Sequence, residues 1–200
     1  MRIDGIKTPQ SAFLSIEKDM DNITKAIFKN ERLCKLLHYT DPKVNPYSQP
    51  DLTSGEKASL FGQSIKITPK IKIDPDVKNY VFITFDDFTP NSSNPQFRDN
   101  AIYFDIVCHN EQWQWKDSGF ALRPIRIAAE LDSMFNNEKF SGIGRLEFKC
   151  ASLKNYTDEY AGIGLMYEAI HGDDDKIPMP GNDEQERVFA QYFDEEDSDE

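Results

Sequence analysis

The apolar residues of this chain recur at two different spacings, which divide it into helical and extended regions. Between residues 11 and 38 they return every three or four positions, as on one face of an amphipathic helix. The pattern predicts a helix that begins with Ser11 as its N-cap, breaks near Asn30 and continues as a second short helix over residues 31–39. Residues 40–62 mix prolines and glycines with polar residues, which predicts a long connecting loop.

From residue 63 onward apolar and polar residues alternate, as they do in strands that bury one face. The alternation predicts extended segments at 65–73, 80–85, 101–108, 144–150 and 164–170. Pro69 interrupts the first segment, which favours an edge strand or a bulge. Residues 86–99 are polar and predict a loop that is too long for a tight hairpin.

One further helix is expected between these strands. Pro124 suits its first turn, and the two asparagines that begin at Asn136 suit its end. Its predicted apolar stripe consists of Ile125, Ala128, Leu131 and Phe135. Three sets of strand residues are predicted to share a face: Ile102, Phe104, Ile106 and Cys108; Leu146, Phe148 and Cys150; and Leu165, Tyr167 and Ala169. The order of elements predicts an α+β fold, with an antiparallel or mixed sheet and helices packed on one face.

The distribution of charge along the chain divides it into regions. The formal net charge is -12, yet residues 173–200 alone hold twelve acids against two bases. We therefore expect three regions: N-terminal helices and a connecting loop over 1–62, an α+β core domain over 63–172 and an acidic tail over 173–200. Such a tail repels the phosphates of nucleic acids and attracts basic surfaces.

The acidic tail also contains an apolar stripe. Val188, Phe189, Tyr192 and Phe193 fall on one face of a short predicted helix. Two interpretations remain open at this stage, a solvated tail that aids solubility and a docking peptide for a groove with a basic rim. The four large apolar side chains favour the docking peptide, because a solvated tail has no use for them.

Composition narrows the classes of protein further. No apolar stretch reaches the roughly 18 to 20 residues that a bilayer span needs, and the N-terminus lacks the pattern of a signal peptide. Three scattered cysteines do not make a disulfide framework, which favours a reducing compartment. We expect a soluble intracellular protein without a membrane partner.

Candidate catalytic and metal-binding residues are few. Cys34 and His38 are four residues apart on a predicted helix and would both face one zinc ion, but zinc sites use paired short spacings that this chain lacks. A buried helical cysteine is the simpler interpretation. Asp86 and Asp87 at a strand end would suit a divalent ion, although such pairs more often begin loops. We expect no cofactor, no metal and no enzymatic activity.

One pattern is similar to a metal-dependent nuclease. Asp76 precedes a strand that carries Glu147 and Lys149 on one face, as in the acidic-x-Lys signature of a large nuclease superfamily. The same alternation equally describes the solvent face of an amphipathic strand. The chain between Asp76 and Glu147 is long for that family, which argues against the nuclease interpretation. A metal-dependent nuclease or another nucleic-acid-processing enzyme is kept only as the alternative function.

The order of elements over residues 79–171 resembles the tail-terminator, or tail-completion, proteins of long-tailed bacteriophages. Residues 123–137 resemble the helix that these proteins pack across their sheet, and residues 142–148 resemble the strand that follows it. Residues 30–41 resemble a recurrent opening of phage neck and virion proteins. The helical region before the core and the acidic tail depart from that compact family, which leaves the level in the neck open.

The resemblance implies a structural virion protein that forms a ring, typically of six subunits, which terminates the tail and joins it to the head connector. Its partners would be copies of itself and the neighbouring neck, connector and tail-tube proteins, with assembly in the host cytoplasm. DNA would pass through the lumen as cargo. Asp86, Asp87 and Asp99 would line that lumen and repel the DNA.

Overall fold

The computed structural model describes residues 12–76, 78–90, 98–115, 121–137, 139–140 and 144–171. The helices in these ranges are α1 (Ala12–Lys29), α2 (Glu31–His38), α3 (Ser54–Leu60) and α4 (Arg123–Phe135). The strands are β1 (Ile65–Ile67), β2 (Asn79–Pro90), β3 (Arg98–His109), β4 (Lys139–Phe140), β5 (Gly144–Arg145), β6 (Glu147–Asn155) and β7 (Tyr160–His171). None of the helices in the described ranges combines the length and apolar character that crossing a membrane requires.

Five of the strands form one mixed sheet in the order β1-β2-β3-β7-β6. β1 runs parallel to β2, and every other neighbouring pair in this sheet is antiparallel. β4 and β5 form a separate two-stranded sheet. The predicted α+β class, with a mixed sheet covered by helices, is confirmed.

The helix break predicted near Asn30 is confirmed, and its side chain explains it. The Asn30 carboxamide oxygen accepts a hydrogen bond from the backbone N–H of Leu33 at 2.9 Å and so caps α2. Ile16, Ile23 and Ile27 of α1 are buried, as their spacing predicts. Ser11, the predicted cap of α1, lies outside the described residues.

The prediction of one long loop over residues 40–62 is wrong in part. Residues Pro46–Ser48 form a 3-10 turn, and α3 follows at Ser54–Leu60. The Thr53 hydroxyl accepts from the N–H of Glu56 at 3.3 Å, and the Glu56 carboxylate accepts from the N–H of Thr53 at 2.8 Å. This capping box was present in the sequence, but the surrounding prolines and glycines obscured it.

The main core lies between the helices and one face of the sheet. The faces predicted for the third and last extended segments are confirmed, because Ile102, Phe104, Ile106 and Cys108 of β3 and Leu165, Tyr167 and Ala169 of β7 are all buried there. Residues of α1, α2, α3 and α4 pack onto the same cluster, so helices and sheet share one core. We call the opposite face of the sheet the open face.

A smaller cluster covers one end of the open face. Tyr80, Phe82, Val107 and Tyr160 are buried there, with Ile71 and Ile73 packed against them. An edge strand was predicted over residues 65–73, but the strand in the structure is only three residues long, at Ile65–Ile67. Beyond Pro69 the chain leaves the strand and folds over the open face.

The predicted apolar stripe of α4 is displaced at its N-terminal end. Ile125 is 49% exposed, whereas Ile127, Leu131 and Phe135 are fully buried. The reason is that Arg123 occupies the first core-facing position and is itself fully buried. A search for apolar periodicity cannot detect a core position that is occupied by a charged residue.

The face predicted for Leu146, Phe148 and Cys150 is right for Leu146 and Phe148 and wrong for Cys150. Leu146 is buried, but Phe148 is 41% exposed and Cys150 is exposed. The register between β6 and β7 shifts between Phe148 and Cys150, which puts these two residues on opposite faces of the strand. β6 is an edge strand, so even its core-facing side chains are poorly covered.

Arg123 joins α4 to the segments that flank it. Its Nη1 donates to the carbonyl oxygens of Leu36 at 2.6 Å and Tyr39 at 3.0 Å, where α2 ends. Its Nε donates to the carbonyl oxygen of Gln112 at 3.0 Å, and the guanidinium lies 5.4 Å from the ring centroid of Trp115. Burial lowers the pKa of Arg123, which nevertheless stays protonated at neutral pH.

We expect Arg123→Met to lower the free energy of unfolding by about 3–5 kcal/mol, because it leaves buried carbonyl oxygens of α2 and Gln112 without a donor. Denaturant titration followed by circular dichroism measures the change. Arg126→Met on the exposed side of the same helix is the control and should change stability by less than about 0.5 kcal/mol. Equal effects of the two substitutions would contradict the structural role of Arg123.

We expect Gly162→Ala to destabilise the protein by about 3 kcal/mol or more, because the new Cβ would lie 1.7 Å from the backbone oxygen of Ile106. The strands β3 and β7 would have to separate to admit it. Gly55→Ala is the matched control, since a Cβ added there would have nothing within 4 Å, and in α3 it should be neutral or stabilising. Thermal unfolding of both variants decides the point, and a Gly162→Ala protein as stable as the wild type would refute the close approach.

Candidate interaction surface

A row of acidic side chains crosses one end of the open face. Asp86 of β2 pairs with Ala101 of β3, which pairs with Glu168 of β7, which pairs with Glu147 of β6. Residues that are directly paired in a sheet point to the same face, so three carboxylates of this row share the open face. We call this part of the surface the acidic end, and it comprises Asp86, Asp87, Asp99, Glu147 and Glu168.

The predicted loop over residues 86–99 is wrong at both of its ends. β2 continues to Pro90 and β3 begins at Arg98, so all three aspartates lie in paired strands. Asp99 lies two residues before Ala101 on β3 and therefore on the same face. The structure thus brings together the three aspartates that the sequence singled out, on a sheet instead of a loop.

A bulge between Asp86 and Thr89 shapes this end of β2. Asp87 has a φ of 58°, a left-handed conformation that aspartate tolerates better than most residues. Its carboxylate accepts a hydrogen bond from the Tyr103 hydroxyl at 3.0 Å. Burial and this carboxylate together raise the pKa of Tyr103. Asp87 is therefore held in place, while Asp86 remains exposed beside it.

Lys149 is the basic residue that contacts the acidic end. Its Nζ lies 2.6 Å from Glu168 and 3.3 Å from Glu147. The hydrogen bond to Glu168 is the main reason that the pKa of Lys149 is raised. Exposed pairs of this kind add little stability, but they fix the position of the side chains. Glu147 and Glu168 share this lysine, and the exposed Asp86 adds a further negative charge to the surface beside them.

The structure does not bring together the three residues of the nuclease-like pattern. Asp76 lies just ahead of Asn79, whose row across the sheet runs through Cys108 and Ala161 to Asn155. Glu147 belongs to the row of Asp86, at the other end of the strands. Two strands and most of their length therefore separate Asp76 from Glu147.

Cys34 and His38 also face different neighbours. The Cys34 thiol is fully buried and donates to the carbonyl oxygen of Ile27 at 3.6 Å, and burial raises its pKa to about 11. His38 Nε2 lies 4.0 Å from the Glu56 carboxylate of α3. Within the described ranges no three Cys, His, Asp or Glu side chains are grouped as ligands of a metal would be.

A second polar cluster ties β6 to the centre of the sheet. Lys154 donates to Asp105 of β3 at 2.6 Å, and the Tyr156 hydroxyl donates to the same oxygen at 2.7 Å. Lys154 crosses β7 at Gly164, where a Cβ would lie 2.6 Å from its Cε. The sequence did not predict this cluster, although a glycine within a strand pattern was a signal for such a close approach.

The predicted interaction residues Val188, Phe189, Tyr192 and Phe193 lie outside the described residues. Their role in docking remains a prediction from the sequence.

A protein-family model described as YomW matches this chain over residues 30–169. The name is a phage-derived Bacillus family name, which relates the chain to bacteriophage proteins. No curated protein matches the chain. The matched residues include α2, α3, α4 and nearly all of the five-stranded sheet, and therefore both the acidic end and the Lys154 cluster.

We expect a thiol reagent to modify only Cys150 in the folded protein at pH 8. Cys34 and Cys108 are buried, and burial raises their pKa values to about 11 and about 12. A reagent therefore cannot reach either sulfur, and neither thiol forms the reactive thiolate at pH 8. A colorimetric thiol titration should show one reactive cysteine before denaturation and all three after it. Cys150→Ser is the control and should abolish the native signal. Rapid modification of Cys34 would contradict its position in the core.

Proposed function

This chain belongs to the YomW family, and we propose that it is a structural protein of the bacteriophage particle that forms a ring in the neck. The ring would terminate the tail and join it to the head connector, without a catalytic step. The relation of the family to phage proteins supports the assignment of the chain to a bacteriophage. The resemblance to tail-terminator proteins supports the position within the particle.

The acidic end is the observation that favours a ring around DNA. Its five carboxylates occupy one end of a rigid sheet, three of them in a single row across the strands. A lumen lined in this way repels DNA phosphates, so the genome slides through without binding. A protein that had to hold DNA would instead present a basic surface.

The two edges of the sheet are different, which suits a closed ring. At one edge β1 has three residues, and Phe61 bridges to Ile65 beside it. At the other edge β6 has nine residues, nearly all of them exposed. A ring forms when two different surfaces of neighbouring subunits meet head to tail, and unlike edges provide unlike surfaces.

The partners under this proposal are further copies of the chain, six in the typical ring, and the adjoining neck, connector and tail-tube proteins. Light scattering over a range of concentrations, together with electron microscopy, tests ring formation directly. A mass that stays monomeric at every concentration, alone and with neighbouring phage proteins, would refute the proposal.

We expect the double variant Asp86→Lys and Asp99→Lys to bind DNA within its rings where the wild type does not. The two substitutions replace repulsion of phosphates by attraction on the surface assigned to the lumen. Gel-shift assays with linear duplex DNA at low and high salt measure the effect, and the new binding should disappear as salt rises.

The double variant Asp158→Lys and Glu159→Lys is the matched control. These exposed acids lie in the turn between β6 and β7, at the other end of the sheet, and their replacement changes the net charge by the same amount. Equal DNA binding by the two double variants would show that only total charge matters, and would count against the acidic end as a lumen surface.

A further inference from the structure

The guanidinium of Arg123 is fully buried, but its hydrogen bonds account for only part of it. An arginine side chain has five N–H donors. The carbonyl oxygens of Leu36, Tyr39 and Gln112 accept three of them, two from Nη1 and one from Nε. Nη2 is buried and has no hydrogen-bond partner among the described residues. It is bonded to the same carbon as Nε, so its two N–H groups lie close to the backbone of Gln112.

Two side chains beside Arg123 are in the same condition. Gln112 and Trp115 are only 6% and 1% exposed. Within the described ranges neither Oε1 of Gln112 nor the indole Nε1–H of Trp115 has a hydrogen-bond partner. The guanidinium of Arg123 lies 5.4 Å from the ring centroid of Trp115 and donates to the Gln112 carbonyl oxygen. The three side chains therefore adjoin one another.

Asn79 adds a fourth side chain of this kind from the sheet. It is fully buried, and neither its Oδ1 nor its Nδ2 is bound by any part of the chain that the structure describes. Asn79 is paired directly with Cys108 of β3, so both side chains point into the main core. Burial raises the pKa of Cys108, and the positive charge of Arg123 opposes this effect, which requires the guanidinium to lie near the thiol. Asn79 and Arg123 thus face the same part of the core.

Polar atoms in such a position require a partner. A buried donor or acceptor that is not hydrogen-bonded carries the full cost of its removal from water. Nearly all buried polar atoms in native proteins are bound, either by the protein or by ordered water. The set in this part of the core combines donors, on Nη2, Nε1 and Nδ2, with two amide oxygens that accept. A ligand that satisfies all of them must both accept and donate.

We propose that ordered water molecules bind inside the core between Asn79, Gln112, Trp115 and Arg123. A buried water makes about three hydrogen bonds and can accept and donate at the same time. These waters accept from Nη2 and Nε1 and donate to the amide oxygens. They link the first residue of β2 to α4 and to the turn that follows β3. The inference goes beyond the proposed ring and does not depend on it, because it concerns the interior of a single chain.

A small anion fits this set of atoms less well. It would suit the positive charge of Arg123 and the indole N–H of Trp115, but an anion only accepts hydrogen bonds. Both polar atoms of the Asn79 carboxamide are buried, so either orientation of that group leaves one oxygen that needs a donor. Water supplies that donor, whereas an anion would repel the oxygen.

The first experiment observes the water by nuclear magnetic resonance, through the two tryptophans of the full-length chain. The Trp113 indole donates to the carbonyl oxygen of Ala161 at 3.3 Å and is the internal control. We expect a nuclear Overhauser effect of the sign given by long-lived water at the indole proton of Trp115 and none of that sign at Trp113. Trp113→Phe assigns the two signals. The absence of this effect at Trp115 would overturn the proposal.

The second experiment uses the sign of a change in stability. Asn79→Leu replaces the carboxamide by an apolar group of similar size. If water binds Asn79, the substitution removes a partner from the network and should lower the Tm by about 4 °C or more. If no water binds it, the substitution removes an unsatisfied polar group and should raise the Tm, which would overturn the proposal. Gln112→Met makes the same test if Asn79→Leu does not fold.

Asn155→Leu is the matched control for this comparison. Asn155 is exposed and lies at the other end of the row across the sheet that begins at Asn79. The same substitution there should change the Tm by less than about 1 °C. An equal loss of stability in both variants would show that the amide matters for the strands and not for a bound ligand, and would count against the proposal.

The third experiment distinguishes water from an anion. Thermal unfolding of the wild type and of Trp115→Phe is compared in sodium chloride, nitrate and sulfate at equal ionic strength. Bound water predicts that each salt shifts the Tm of both proteins by the same amount. A wild-type Tm that rises with the concentration of one anion, with no such rise in Trp115→Phe, would identify an anion and overturn the proposal.

A crystal structure of the full-length protein locates the ligand directly. We expect density for water at about 2.7–3.2 Å from Nη2 of Arg123 and within the same distance of at least one of the amide groups. A side chain of the protein in that place, or no density there, would overturn the proposal.

Discussion

The structure depends on a fully buried guanidinium that is held by backbone carbonyl oxygens. Arg123 lies fully buried at the start of α4 and donates to backbone carbonyl oxygens at the end of α2 and in the turn after β3. Those carbonyl groups would otherwise be buried without a donor, which is costly in a core. One side chain therefore links α4 to the end of α2 and to the turn that follows β3.

The sheet is built so that its two faces have separate roles. The face toward the helices carries aliphatic and aromatic residues that form the main core. The open face is apolar at one end, around Tyr80 and Tyr160, and acidic at the other, around Asp86 and Glu168. Both ends are on the same strands, and the other face of those strands is covered by the main core. The carboxylates of the acidic end are thereby carried by paired strands.

Periodicity predicted the parts of the fold in which apolar residues occupy every core position. The faces of β3 and β7 follow from alternation alone, and the break at Asn30 follows from a recognisable cap. Prediction failed where one residue changed the pattern. Arg123 displaced the stripe of α4, the shift before Cys150 reversed the face of β6, and the bulge after Asp86 extended β2 into a predicted loop. The acidic end depends on pairing between strands that are distant in the sequence. The sequence indicated its aspartates and, as part of a nuclease-like pattern, Glu147, but it did not indicate that they lie together.

The side chain of Lys154 has a mechanical consequence. It crosses β7 over Gly164 and is bound to Asp105, so the edge strand is tied to β3 as well as to its immediate neighbour. A force that pulls on β6 is therefore divided between the hydrogen bonds to β7 and an ion pair that reaches the central strand. The edge cannot peel away from the sheet one bond at a time without also breaking this tie. If a neighbouring subunit is held at that edge, tension between subunits would be carried to the middle of the domain instead of its margin.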